Sequence, residues 1–218
     1  KIIIRTDASL KIGSGHVMRC LTLAEALRQS GAEVEFVCRK HSGNLIDLVR
    51  QKEFIVHALS VPENLKSSDI SENNSGNEYE SWLGVSQDQD ARETITVIQK
   101  NKPDWLIVDH YSLGNDWEKK IRPYVKKIMA IDDQANRRHD CNLLLDQNWF
   151  ENMECRYDGL VPHGSTKLLG PEYALLRPEF SKARMKIESR NGPVNRIFVR
   201  SRQRINFVHW KSLKFMRA

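Results

Sequence analysis

The sequence predicts an α/β fold, a parallel sheet wrapped by helices, and three observations carry that expectation. Short apolar runs alternate with helical patterns from Lys1 to Leu145. The apolar runs are continuous, as in strands covered on both faces. Polar clusters follow several of them, and such sheets bind ligands outside the carboxyl ends of their strands.

Lys1–Arg5 reads as the first strand on Ile2, Ile3 and Ile4. The stretch R-T-D-A-S-L-K-I-G-S-G-H-V-M-R from Arg5 to Arg19 then turns that strand into a glycine loop. Gly13 and Gly15 permit backbone angles closed to other residues and let a ligand approach the main chain. Val17, Leu21, Leu23, Ala24, Ala26 and Leu27 give a helical stripe over Val17–Ser30 that stops near Gly31. Further strands are expected at Glu33–Arg39, Phe54–Leu59, Trp105–Asp109, Lys127–Ile131 and Asn142–Leu145, and helices at Asn44–Lys52, Gln89–Lys100 and Trp117–Val125. Pro62–Tyr79, rich in Ser, Asn and Glu, reads as an excursion outside the sheet. Gly170-Pro171 marks a turn, and a helix is expected to begin at Pro178.

His16 falls at or beside the first helical turn, where free N–H groups and the positive end of the helix dipole favour anions. A histidine there is a candidate base. The bland alternative is a tight turn between strand and helix. G-S-G-H-V-M is not the dinucleotide fingerprint, because the third glycine is missing from its place.

Two more strand ends carry polar clusters. One is Asp109, His110, Tyr111 and Ser112, and the other begins at Asp132 and Asp133; both are expected to face the crevice of His16. For Asp109 and Asp132 the competing reading is capping of the turn that follows. Tyr111 is a stronger candidate, since a phenol at a ligand edge can pack on a sugar and hydrogen-bond it. Arg177 reads either as a surface ion pair with Glu172 or Glu179 or as a fork for a hydroxylated or anionic ligand. Asp132, Asp133 and His139 make a weak metal set, because adjacent strand-end residues point opposite ways.

The 218 residues suffice for one large domain, or one domain with part of a second. Hydrophobic content of 40% and charged content of 28% fit a soluble globular protein, expected to be cytoplasmic, with no stretch approaching a membrane span. Cys20, Cys38, Cys141 and Cys155 form no C-x-x-C pair, so inert reduced thiols are expected, with no zinc site and no disulfide framework. The net charge is +6, yet seven Lys and Arg and no acid lie between Arg196 and Ala218, leaving 27 basic against 28 acidic side chains elsewhere. A basic end of that kind is a tail, and no nucleic-acid partner is expected.

Six segments together carry a resemblance. They are R-T-D-A-S-L-K-I-G-S-G-H-V-M-R-C at Arg5–Cys20, W-L-G-V at Trp82–Val85, L-I-V-D-H-Y at Leu106–Tyr111, I-D-D-Q-A-N-R at Ile131–Arg137, D-C-N-L-L-L-D-Q-N at Asp140–Asn148, and L-L-G-P-E-Y-A-L-L-R-P-E-F at Leu168–Phe180. In this order and spacing the chain resembles the UDP-2,4-diacetamido-2,4,6-trideoxy-β-L-altropyranose hydrolases of pseudaminic acid biosynthesis. The resemblance implies a GT-B-like fold of two Rossmann-like halves facing each other across a cleft. It implies release of UDP from a UDP-sugar by inverting attack of water at the anomeric carbon, with no metal or cofactor. It makes His16 the general base, Tyr111 and Arg177 substrate contacts, and Gly13 and Gly15 part of the binding loop.

After Ile197-Phe198-Val199, which reads as the first strand of a second half, the resemblance implies a glycine-rich phosphate loop. The sequence instead runs R-S-R-Q-R-I-N-F-V-H-W-K-S-L-K-F-M-R-A. The expected organisation is therefore a base-bearing domain over residues 1–190 and, over 191–218, the start of a UDP-binding half followed by an aberrant basic tail, as an altered reading frame would produce. The competing functions are a sugar transferase of the same architecture and a non-catalytic sugar-binding domain.

Overall fold

The computed structural model describes residues 1–62 and 79–186. The chain divides after Ser181 into two units, and of the second only Lys182–Lys186 is described. The expected boundary at residue 190, the strand start at Ile197–Val199 and most of the Pro62–Tyr79 excursion lie outside the described residues.

Among the described residues seven strands form one sheet: β1 Ile2–Thr6, β2 Val34–Arg39, β3 Ile55–Leu59, β4 Trp105–Asp109, β5 Lys127–Ile131, β6 Leu143–Asp146 and β7 Thr166–Leu169. The order is β3-β2-β1-β4-β5-β6-β7, and every neighbouring pair is parallel. The expected α/β, Rossmann-like parallel sheet is thus borne out. The chain winds one way from β1 to β3 and the other way from β4 onward, so the switch point lies between β1 and β4. In doubly wound sheets that point, outside the carboxyl ends of the strands, is where a ligand crevice lies.

The helices are α1 Gly15–Gln29, α2 Ile46–Gln51, α3 Gln87–Asn101, α4 Asn115–Ile121 and α5 Pro178–Arg184. α1 and α2 cover one face of the sheet, where Val17, Cys20, Leu21, Ala24, Ile46 and Val49 pack on Ile4, Phe36, Cys38 and Ile107. α3 and α4 cover the other, where Ala91, Ile98, Trp117 and Ile121 pack on Ile3, Val37, Leu106 and Val108. Because side chains alternate along a strand, each strand supplies both cores, which is why the apolar runs are continuous. The helix starts follow local chemistry: Ser86 Oγ accepts the Gln89 N–H at 3.2 Å, and Asp88 and Asp90 occupy the first turn of α3.

Under the α3 face lies a buried ion cluster. Arg5 donates to Asp7 and Asp90, each at 2.6 Å, Arg39 donates to Asp90 at 2.7 Å, and Trp117 Nε1 donates to Asp90 at 3.0 Å. Asp7 Oδ1 also accepts the backbone N–H of Arg39 at 2.6 Å, which fixes the end of β2 to the end of β1. Sequence patterning missed only β7 among the strands. It carries two adjacent leucines behind polar residues, and it is an edge strand with no fully buried residue.

Candidate functional site

β1 ends at Thr6, and the loop that follows closes on itself. Gly13 N donates to Ser9 O at 2.8 Å, and Gly13 has φ +81°, open to glycine at no steric cost. Ser9 Oγ accepts the Ile12 N–H at 2.9 Å. Gly15 is instead the first residue of α1, and His16 the second. The loop therefore delivers His16 to the switch point on the first turn of a 15-residue helix, its side chain 3% exposed.

The end of β4 meets it there. His16 Nδ1 lies 2.6 Å from Asp109 Oδ1. Arg19, one turn further along α1, forks onto the same carboxylate, with Nε 2.6 Å from Oδ2 and Nη2 2.7 Å from Oδ1. Burial alone would raise the Asp109 carboxyl, but the Arg19 charge and the hydrogen bonds from Arg19 and His16 hold it well below the usual carboxylate range. An ionised carboxylate only accepts, so the imidazole proton belongs on Nδ1 and Nε2 presents its lone pair. Arg19 Nη2 is also 3.2 Å from Nδ1, but both atoms are donors and the shorter contact of each is to Asp109. His16 Nε2 makes no hydrogen bond among the described residues.

Tyr111 packs its ring edge-on against His16, with centroids 4.5 Å apart. Its hydroxyl donates to Asp133 Oδ1 at 2.6 Å, and burial together with that carboxylate pushes the phenol well above its ordinary value. Asp133 Oδ2 accepts from Arg19 at 3.4 Å and from Asn148 at 3.2 Å. One carboxylate thus joins α1, the β4 end and the β6 end around the crevice.

The two strand-end clusters face the crevice only in part, and pleat parity decides which part. Asp109, Tyr111 and Asp133 lie on the α1 side. His110 and Asp132 turn to the α3 and α4 side, which corrects the expectation that whole clusters would converge on His16. His110 Nε2 faces Asp7 at 3.4 Å, and burial lowers its imidazole to about 3. Asp132 Oδ2 accepts the Ala135 N–H at 2.9 Å, the turn-capping role weighed for it, and also accepts from Tyr157 at 3.2 Å. Among the described residues Asp109 caps no turn and pairs with His16 instead. Sequence reasoning missed the parts of Asp109, Arg19 and Asp133. The available signals were parity along the strands and the i, i+3 spacing of His16 and Arg19.

Arg177 is exposed, with its guanidinium 5.3 Å from the Phe180 ring centroid. Among the described residues no contact joins it to His16 or Tyr111, and it forms no ion pair with Glu172 or Glu179. Cys20, Cys38 and Cys141 are free and buried, and Cys155 is free and exposed. Among the described residues no cluster of His, Cys, Asp and Glu is arranged to hold a metal ion, and no helix is long and apolar enough to cross a membrane.

Fold and site define a Rossmann-like α/β domain with a buried histidine–carboxylate pair at its switch point. In sequence, the chain is a relative of the UDP-2,4-diacetamido-2,4,6-trideoxy-beta-L-altropyranose hydrolase of Campylobacter jejuni. The two are 31% identical over 181 residues, 83% of this chain and 53% of that protein. The resemblance read from the motifs is borne out at that level. An uncharacterized protein of Methanocaldococcus jannaschii is 26% identical over 194 residues, 88% of this chain and 34% of its own length. The chain thus spans about half the length of the first of these relatives and a third of the second. No family model matches the chain. Among solved structures, MurG of Acinetobacter baumannii aligns with a TM-score of 0.48 at 11% identity, over 77% of this chain and 44% of that one, a likeness too slight to bear on function.

Proposed function

We propose that this chain carries the base-bearing part of a nucleotide-sugar hydrolase site, acting on a UDP-activated diacetamido-trideoxy-altropyranose. The observation that carries the reading is the His16–Asp109 contact of 2.6 Å, which leaves Nε2 as the acceptor at the crevice. The named relative supports the substrate class.

In this reading a water molecule attacks the anomeric carbon while His16 Nε2 takes its proton. The bond from that carbon to the phosphate oxygen breaks, UDP leaves from the opposite face, and the sugar is released with inverted configuration. Asp109 holds the imidazole in the correct tautomer and stabilises the imidazolium as it forms. Proton transfer to a positioned base contributes about 10²–10⁴-fold. Tyr111, whose proton is given to Asp133, offers the sugar an acceptor for a hydroxyl or acetamido N–H. Gly13 and Gly15 let the ligand approach the backbone, and Arg177 contacts the substrate in the complete cleft. Residues 1–190 are then one half of a GT-B-like pair whose counterpart grips UDP. The reaction belongs to cytoplasmic pseudaminic acid biosynthesis for flagellin and other surface glycans.

Turnover in ¹⁸O-labelled water tests the reading. Attack at the anomeric carbon leaves the released UDP free of label, and NMR of the nascent sugar shows the inverted anomer. Label in the UDP phosphate, or transfer of the sugar to an acceptor in place of water, overturns it.

A further inference from the structure

Asp109 has a complete set of donors, and Arg19 supplies half of it. Oδ1 accepts from His16 Nδ1 at 2.6 Å and from Arg19 Nη2 at 2.7 Å. Oδ2 accepts from Arg19 Nε at 2.6 Å and from Cys20 Sγ at 3.4 Å. An ionised carboxylate offers about four lone-pair sites, so none is left over. His16 and Arg19 stand three residues apart on α1, which places both on the face that meets Asp109. Arg19 Nη1 reaches on to Asp133 Oδ2 at 3.4 Å.

A buried carboxylate beside an imidazole has two opposite effects on a base. Its hydrogen bond fixes the ring and the tautomer, and its charge favours the imidazolium. A ring already protonated takes no proton from water. Arg19 separates the two effects, because its guanidinium is always charged and its fork meets both oxygens of Asp109. The carboxylate is balanced before His16 is counted, while Oδ1 still accepts from Nδ1.

The other groups around the ring leave that balance to Arg19. On α1, burial pushes the Cys20 thiol well up. After β4, burial pushes the Tyr111 phenol up and the His110 imidazole down to about 3, so all three are uncharged at pH 7. Arg137, 6.0 Å from the Tyr111 ring centroid, is paired with Asp132 at 2.7 Å. Asp133, after β5, adds a second carboxylate. Among the described residues Arg19 is the one permanent cation in contact with the side chain of Asp109 or Asp133.

We propose that Arg19 is a positioning residue that grips both oxygens of Asp109 and balances its charge, so that Asp109 orients His16 while the imidazole stays neutral and able to accept a proton. The assignment rests on the reading of His16 as the base of the hydrolysis. Lysine cannot replace the grip, since it brings a point charge without the fork.

The test is long-range ¹H–¹⁵N NMR of the His16 ring in the wild type, Arg19→Gln and Arg19→Lys, with the signal identified by its loss in His16→Gln and UDP release measured on the same samples. At pH 7 the wild type should show a neutral ring with its proton on Nδ1. Arg19→Gln should move the ring's titration to higher pH by about one unit or more, and the acid limb of kcat/KM should move with it. Arg19→Lys, which keeps the charge, should leave both near the wild-type position. An unmoved titration in an Arg19→Gln protein that circular dichroism shows to be folded overturns the proposal, even where its urea midpoint falls. An imidazolium at pH 7 in the wild type overturns it without any variant. Absence of UDP release by the wild type overturns the hydrolase reading, and the ring titration still decides the part of Arg19.

Discussion

Asp109 Oδ1 lies 2.6 Å from His16 Nδ1, although 93 positions separate the two residues in the chain. The contact exists because β1 and β4 are neighbours in a doubly wound sheet, with Thr6 paired to Asp109 in register. The loop after β1 then carries α1, and with it His16, over the end of β4.

Replacing Asp109 with Asn keeps the shape of the side chain and removes its charge. The imidazolium then loses its stabilising partner, and kcat for UDP release should fall about 10²-fold or more with KM little changed. Steady-state kinetics across a pH series check this. The Arg19 guanidinium, 12% exposed, also loses its bidentate partner, so the midpoint of urea unfolding should fall as well.

Asp90 accepts from two fully buried arginines and from Trp117, so its removal leaves uncompensated charge beneath the sheet. Asp90→Ala should destabilise the protein by about 3–5 kcal/mol, which equilibrium urea denaturation measures. The exposed Lys126–Asp104 pair offers the contrast, since Lys126→Ala should leave the urea midpoint essentially where it is.

His139 is buried between Glu118, 2.8 Å away, and Asp132, 3.9 Å away. Burial works against its charge, but the two carboxylates prevail over it and raise the imidazole to about 9 from 6.5. A raised folded value means stability that is fully present below pH 6.5 and lost as pH rises through about 9. Thermal unfolding between pH 6 and 9.5 should show that alkaline decline. His139→Gln should flatten it.

Gly84 is the joint of the Trp82 segment. Gly84→Ala imposes both a positive φ and a contact with His41, and should cost about 1–3 kcal/mol by the same denaturation measurement.

The sheet was legible because its strands are apolar on both faces, and six of seven were placed within two residues. His16 and Tyr111 were legible as residues at a ligand edge, because a glycine loop and a strand end announce that edge in sequence. The partners were harder to read. Asp109 looks like a turn cap until the strand order places β4 beside β1, and Arg19 looks like a surface residue of α1 until Asp109 and Asp133 close over it. His110 and Asp132 read in sequence as crevice residues because each adjoins one that does face it. Parity separates each from its neighbour, and the choice of face depends on which helices cover which side. Arg177 follows the last described strand, where spacing gives no information about approach to the crevice.

The central claim is that His16 is the base of a sugar-releasing hydrolysis. Its most direct test is the rate of UDP release from the UDP-diacetamido-trideoxy-altropyranose by the wild type and by His16→Ala side by side, with circular dichroism confirming that both are folded. Release by the wild type and at least about 10²-fold slower release by the variant are expected. Comparable rates in the two proteins, or no release by the wild type, would contradict it.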